Sequence, residues 1–119
     1  MKIFRDHRIK VEHLNYVFCT DRHLRKINKQ YLNHDFNTDI LTFDLSTGKR
    51  VIADVFISVE RASINAKLYQ VSRLSEIRRL LIHGALHLCG HEDLNRDDQK
   101  KMRDAEDFYL NKLFVSRET

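Results

Sequence analysis

Apolar residues recur along this chain with two different periods, and the change from one to the other divides it into a strand-rich first half and a helical second half. Val11 to Thr20, centred on Tyr16-Val17-Phe18-Cys19, predicts a strand. Asp21 then caps a helix through Tyr31, in which Leu24, Ile27 and Tyr31 share a face. Ile40 to Leu45 sets Leu41, Phe43 and Leu45 against Thr42 and Asp44, the alternation of a half-buried strand. Ser46-Thr47-Gly48-Lys49 reads as a turn, and Val51 to Val59 resumes as a strand with Val55, Ile57 and Val59 on one side. From Glu60 onward the period is helical. One helix reaches Leu68, a second begins near Ser72 as N-cap, and a last runs from Asn95 with Asp97 and Asp98 near its positive end. No strand or helix is plain before Val11. The order predicts an α/β (α+β) fold over residues 1–119, one domain in which a small mixed sheet is covered by helices.

Leu80 to Leu94, read as LLIHGALHLCGHEDL, is the one segment that spells out chemistry. His83 and His87 stand four residues apart, so on a helix both imidazoles point from one face and can reach a single tetrahedral ion at roughly 2.0–2.1 Å. Leu80, Leu81, Ile82, Ala85, Leu86 and Leu88 surround them, which predicts a buried, central helix, and two buried imidazoles need partners. Leu74, Ile77, Leu81, Ala85 and Leu88 fall on roughly the opposite face, so the histidines look into a cleft. Gly90 lets the helix stop, and the chain can then curl back to supply a third ligand. His91, Glu92 and Asp93 are all chemically able. Asp93, ten residues beyond His83, has more chain with which to turn back than His91, and two histidines with one carboxylate are an accepted zinc set. Three ligands leave a fourth position open, the arrangement of a catalytic rather than a structural ion.

The same spacing occurs in HExxH zinc peptidases, where a glutamate after the first histidine is the general base. Here that residue is Gly84, so a peptidase lacks its proton acceptor. Metal-assisted attack on a phosphodiester is the alternative, because coordination brings the pKa of water to about 7 and the ion also polarises a phosphoryl oxygen.

At these residues the chain resembles the YbeY family of zinc-dependent endoribonucleases, which take part in ribosomal RNA maturation. The family motif runs His-Gly-x-Leu-His-Leu-x-Gly-x-Asp-His; here it reads His83, Gly84, Ala85, Leu86, His87, Leu88, Cys89, Gly90, His91, Glu92, Asp93. Asp93 stands where the family usually has its third histidine, which keeps a ligand and makes the site less cationic. Asn37-Thr38-Asp39-Ile40-Leu41-Thr42-Phe43 resembles the family's Thr-Asp-Val-Leu-Ser-Phe strand, and Ala53-Asp54-Val55-Phe56-Ile57-Ser58 its Gly-Asp-Ile-x-Ile-Ser strand. The three motifs agree in order and spacing from about Val17 to Phe114. An arginine commonly precedes the Thr-Asp strand in an Asn-x-x-Tyr-Arg context, and the matching stretch here is Asn28-Lys29-Gln30-Tyr31-Leu32, so another basic residue must substitute for it or activity must be weaker.

The resemblance implies a metal-dependent hydrolase, a single-strand-specific endoribonuclease of rRNA processing and ribosome biogenesis. It implies one Zn²⁺ per chain on His83, His87 and Asp93, with RNA of the ribosome as partner. The general base is unassigned. Two other readings stand beside it: a ribosome-associated binding protein braced by a structural zinc, and a metallopeptidase, which Gly84 opposes.

With 42% hydrophobic and 32% charged residues the composition is that of a globular protein, and no apolar run approaches a membrane span. Met1-Lys2-Ile3-Phe4 leads straight into charged residues without the apolar segment of an export signal, so a cytoplasmic location is expected. Cys19 and Cys89 then read as buried free thiols, Cys89 lying on another helix face from His87. A net charge of +4 leans toward a polyanionic partner, with Arg73, Arg78, Arg79, Lys100, Lys101 and Arg103 able to line one side of the cleft or simply to solvate helix faces. Asp39 and Asp54 open their strands and could reach the cleft, although a strand-end carboxylate bonded to backbone is the expected role. His7, His13, His23 and His34 stand apart from any ligand spacing and read as ordinary polar residues.

Overall fold

Val51, Ala53, Val55 and Ile57, every second residue of one strand, are all buried, and the molecule is assembled around them. The computed structural model describes residues 2–114. In order these form α1 (Lys2–Asp6), β1 (Val11–Cys19), α2 (Asp21–Leu32), β2 (Ile40–Asp44), β3 (Val51–Ser58), α3 (Val59–Tyr69), α4 (Arg73–Leu88) and α5 (Arg96–Phe114). The sheet has the order β1-β3-β2, with β1 parallel and β2 antiparallel to the central β3. It is the small mixed sheet that the alternating periods predict.

Register decides which side chains share a face. Thr42 pairs with Val55 and Ile40 with Ile57, so these four lie on one side; Phe43 and Leu41, opposite Asp54 and Phe56, lie on the other. The second side carries Tyr31, Phe43 and Phe56 in edge-to-face contact. The first side receives α4, and at Gly84 the approach is close: a Cβ there would sit 3.1 Å from Val55 Cγ1 and 3.2 Å from Ile40 Cδ1. Only a residue without a side chain lets the helix lie so near the strands.

Helix α4 is held from two sides. Ile82, Ala85 and Leu86 pack with Ile3, Phe4, Val51, Ala53, Met102 and Tyr109, while Leu80 joins Val55, Ile57 and Ala62 with Ile77 and Leu81 against them. Burial of each large aliphatic side chain contributes about 1.5–3 kcal/mol. Leu74, the first member of the apolar stripe expected opposite the histidines, is exposed and belongs to neither cluster. No helix among the described residues is long and apolar enough to cross a membrane.

Four expectations shift in detail. Residues before Val11 do form an element: α1 is five residues long, too short for a period to show, yet Ile3 and Phe4 are fully buried. The cap of α2 is Thr20, whose hydroxyl accepts from His23 N at 3.1 Å; Asp21 instead takes the Arg61 guanidinium at 2.7 Å. Leu45 falls outside β2 and is half exposed. Strand β3 ends at Ser58, whose side chain caps α3, so Val59 is the first residue of that helix. Ser72 caps α4, as read from the sequence, and Asn95, from which the sequence predicts the last helix to run, caps α5.

Candidate metal centre

One helical turn separates His83 from His87, and their rings meet edge to face with centroids 4.5 Å apart. Two residues later the helix must end and the chain must reverse. Gly90 does this at φ +100°, with its own N–H on His87 O and His91 N–H on Leu86 O, both at 3.0 Å. That pair of bonds is the Schellman closure, and its left-handed residue is glycine because a Cβ is strained there. The reversed loop is pinned where Gln99 Nε2 donates to Asp93 O at 3.2 Å. Asp93 Oδ2 thereby stands 3.7 Å from His83 Nε2 and 3.6 Å from His87 Nε2.

These three residues could hold a metal ion, all three ligand atoms lying within 4.8 Å of one another. A tetrahedral ion at roughly 2.0–2.1 Å sets its ligand atoms roughly 3.3–3.4 Å apart, so two nitrogens and one oxygen fit it with a few tenths of an ångström of adjustment. The donor chemistry and the spacing both suit the ion that the sequence motif implies.

His91, the rival for third ligand, goes elsewhere. Its Nε2 lies 2.9 Å from His7 Nε2, and His7 Nδ1 lies 2.8 Å from Ile3 O. His7 is therefore no ordinary polar residue but the fixed partner of His91. Glu92 is exposed and outside the group. Cys89 is free, packs at the edge of the core beside Leu88, and burial pushes its thiol up to about 11. Cys19, also free, is partly buried, and burial pushes its thiol up too.

The cleft that receives His83, His87 and Asp93 has a volume of about 490 Å³, with Thr38, Asp39, Thr42 and Asp44 on its strand side. Asp39 does reach it. Its Oδ2 accepts from the Asn65 side chain at 3.0 Å rather than from backbone, and Asn65 Nδ2 also donates to Glu76 Oε2 at 3.3 Å. Glu76 is buried, and burial raises its pKa against the lowering pull of Asn65. Asp54 lies in mid-strand in β3, outside this lining. A second hollow of about 660 Å³ continues past Asp39, His83 and Asp93 and brings in Arg79 and Arg103. Of the six candidate cations these two line it. Arg78 stacks on Phe114 at 4.6 Å and Lys100 pairs with Asp104, while Arg73 and Lys101 lie outside both linings.

Sequence reading missed the support behind His83. Its Nδ1 lies 2.6 Å from Glu106 Oε2, and the other oxygen of Glu106 takes Arg79 Nη1 at 2.9 Å. For His83 the largest single effect is burial, which lowers its pKa. The Glu106 hydrogen bond and the charges of Glu106, Asp93 and Asp39 together outweigh it and leave the pKa raised. A signal was available: Met102, Glu106 and Tyr109 fall on one helical stripe, and a carboxylate on a buried stripe needs a partner.

A family model described as Endoribonuclease YbeY matches residues 2–114. The chain belongs to the YbeY family. Curated YbeY endoribonucleases resemble it over most of its length: that of Flavobacterium johnsoniae is 49% identical over 79% of this chain and 68% of its own. That of Cytophaga hutchinsonii is 39% identical over 91% of this chain and 76% of its own. The solution structure of TM1509 from Thermotoga maritima shares the fold, with a TM-score of 0.66, 23% identity, and coverage of 92% of this chain and 73% of that one. The two upstream YbeY-like segments become β2 with its approach and most of β3, and the histidine motif becomes the last turns of α4 and its closure. At the family's arginine position Leu32 ends α2, 43% exposed, and it lines neither hollow.

Proposed function

We propose that this chain is a metal-dependent endoribonuclease, a single catalytic domain that cuts single-stranded RNA in rRNA maturation, with one zinc ion held by His83, His87 and Asp93. The observation that carries the reading is the convergence of His83 Nε2, His87 Nε2 and Asp93 Oδ2 on one wall of an open cleft. Membership of a family whose curated members are endoribonucleases supports RNA as substrate. The cytoplasm, associated with the ribosome, is where such a substrate is met. When bound, the ion supplies Lewis acidity and brings the pKa of water to about 7.

The chain's own residues do the rest. Gly84 faces the strands, so the position that carries the base in HExxH peptidases could hold no base here without displacing Val55 and Ile40. The proton acceptor is Asp39, which lines the cleft opposite the histidines with one oxygen steadied by Asn65. Arg103, which has no ion pair among the described residues, is the cation on the adjoining wall for an RNA phosphate, in place of the arginine absent at Leu32.

Elemental analysis beside cleavage of a single-stranded RNA tests this. One zinc per chain and cleavage are expected in the wild type, with both lost in Asp93→Ala. Asp39→Asn is expected to keep its zinc and lose roughly 10²–10⁴ in rate, the contribution of a general base. Cleavage undiminished in Asp93→Ala, or a wild type that takes up no zinc after reconstitution, would overturn the reading.

A further inference from the structure

We infer that Glu106 is a positioning residue for the metal centre, selecting which nitrogen of His83 faces the cleft; this rests on His83 being a ligand, as proposed above. An imidazole offers two nitrogens to a metal, and the hydrogen bond made by one decides which remains free. Here Glu106 Oε2 sits 2.6 Å from Nδ1, so the ring proton is held on Nδ1 and the lone pair on Nε2 points toward Asp93 Oδ2 and His87. His87 has no such carboxylate among its hydrogen bonds in the described residues, so the support is peculiar to His83.

Glu106 is itself held. It is 7% exposed, and its second oxygen accepts from Arg79 Nη1 at 2.9 Å, while Arg79 Nη2 reaches the exposed Asp107 at 2.7 Å. Arg79 and His83 lie one turn apart on α4, and Glu106 and Asp107 are neighbours on α5. The chain Asp107–Arg79–Glu106–His83 therefore locks α5 to the ligand face of α4. Helix α5 supplies no ligand, yet it fixes the orientation of one.

Both oxygens of Glu106 accept from a donor, a demand that glutamine cannot meet. In Glu106→Gln either the amide nitrogen faces the Arg79 guanidinium, donor against donor, or it faces His83 Nδ1 and drives the ring proton to Nε2, where it blocks ligation. Zinc affinity of the purified full chain, measured by competition with a chromophoric chelator, is expected to fall about 10–100-fold in Glu106→Gln, the usual effect of losing such a partner. Asp104→Asn, which removes a carboxylate from α5 well away from the centre, serves as control and keeps wild-type affinity. The visible spectrum of the cobalt-substituted protein is expected to change in Glu106→Gln and not in Asp104→Asn, a readout that loss of stability alone would not move.

A folded Glu106→Gln with wild-type zinc affinity and an unchanged cobalt spectrum would overturn the inference while leaving the proposed function standing. Should that variant fail to fold, ring ¹⁵N spectra of the zinc-loaded wild type decide: zinc on His83 Nε2 with the proton on Nδ1 is expected, and the reverse arrangement overturns it. A wild type that binds no zinc would remove the proposed function, and this inference with it.

Discussion

Two pairs of histidines touch among the described residues, and only one of them looks like a site. His83 and His87 pack their rings at 4.5 Å; His7 and His91 pack theirs at 5.1 Å and bring their Nε2 atoms to 2.9 Å. The first pair is the closer by its rings, yet only the second is hydrogen-bonded ring to ring. The difference lies in what surrounds each. Around His83 and His87 stand three carboxylates, Asp93 facing the nitrogens, Glu106 behind one ring and Asp39 across the cleft. Around His7 and His91 the hydrogen-bonding neighbour is the Ile3 carbonyl, which uses up His7 Nδ1, while the carboxylate near His7, Asp6, accepts from Lys2 and Tyr109 instead. Two imidazoles facing each other satisfy one another; two facing a carboxylate leave lone pairs that converge on a shared point.

Removing the carboxylate is the most direct way to break that contrast. Asp93→Ala or His87→Ala is expected to lower zinc affinity and RNA cleavage by more than about 100-fold, beyond the range of a supporting residue. His91→Ala is expected to keep one zinc per chain by elemental analysis. Stability gives a second measure of the same contrast. Zinc at about 100 times its Kd adds about 2.7 kcal/mol to the wild type in urea unfolding. The same increment is expected in His7→Ala and none in Asp93→Ala; an increment lost in His7→Ala would mean that the two pairs are not separate.

The turn that parts the pairs is the next target. Gly90 sends His91 toward His7 and Asp93 back toward His83, and a Cβ at φ +100° is strained even though nothing lies within 4 Å of it. Gly90→Ala is expected to cost about 1–3 kcal/mol by urea denaturation. Because the strain sits between the last helical ligand and Asp93, zinc affinity should fall with it. An unchanged affinity would show that Asp93 finds its place without the Schellman closure.

Much of this could be read from the chain, because the motif is local. His83, His87, Gly90 and Asp93 lie within eleven residues, and helix spacing with one glycine turn places all four. Asp93 rather than His91 lies beside the two histidines, and the longer stretch of chain before it allows that return. What stayed hidden depends on contacts between distant segments. Glu106 lies 23 residues beyond His83, and although it shares a stripe with Met102 and Tyr109, nothing local says which distant side chain that stripe meets. His7 lies 84 residues before His91, on an end of the chain too short to show a period. Gly84 was legible as a missing base but not as the point where α4 touches the strands, since a close approach has no signature in the helix alone.

The smallest effects come from charge and from the hydrogen bonds of one imidazole, and in charge the pairs differ in sign. In the metal-free protein His83 titrates above its ordinary value near 6.5, because Glu106 and its charged neighbours outweigh desolvation. Its stabilisation is therefore complete below pH 6.5 and is lost as pH rises through the folded-state value. His91 titrates below 6.5, burial being the largest cause and His7 and His87 adding to it, so the fold loses stability as pH falls from 6.5 toward that lower value. Urea midpoints of the metal-free chain across this range should lose the upper slope in His83→Gln and the lower one in His91→Gln. At pH 8, His7→Phe removes the two hydrogen bonds of the His7 ring, one to His91 Nε2 and one to Ile3 O. The expected cost is about 1–3 kcal/mol, that is about 0.5–1.5 for each bond, with zinc affinity unchanged. A larger loss, or any change in zinc affinity, would make the His7–His91 contact part of the metal centre after all.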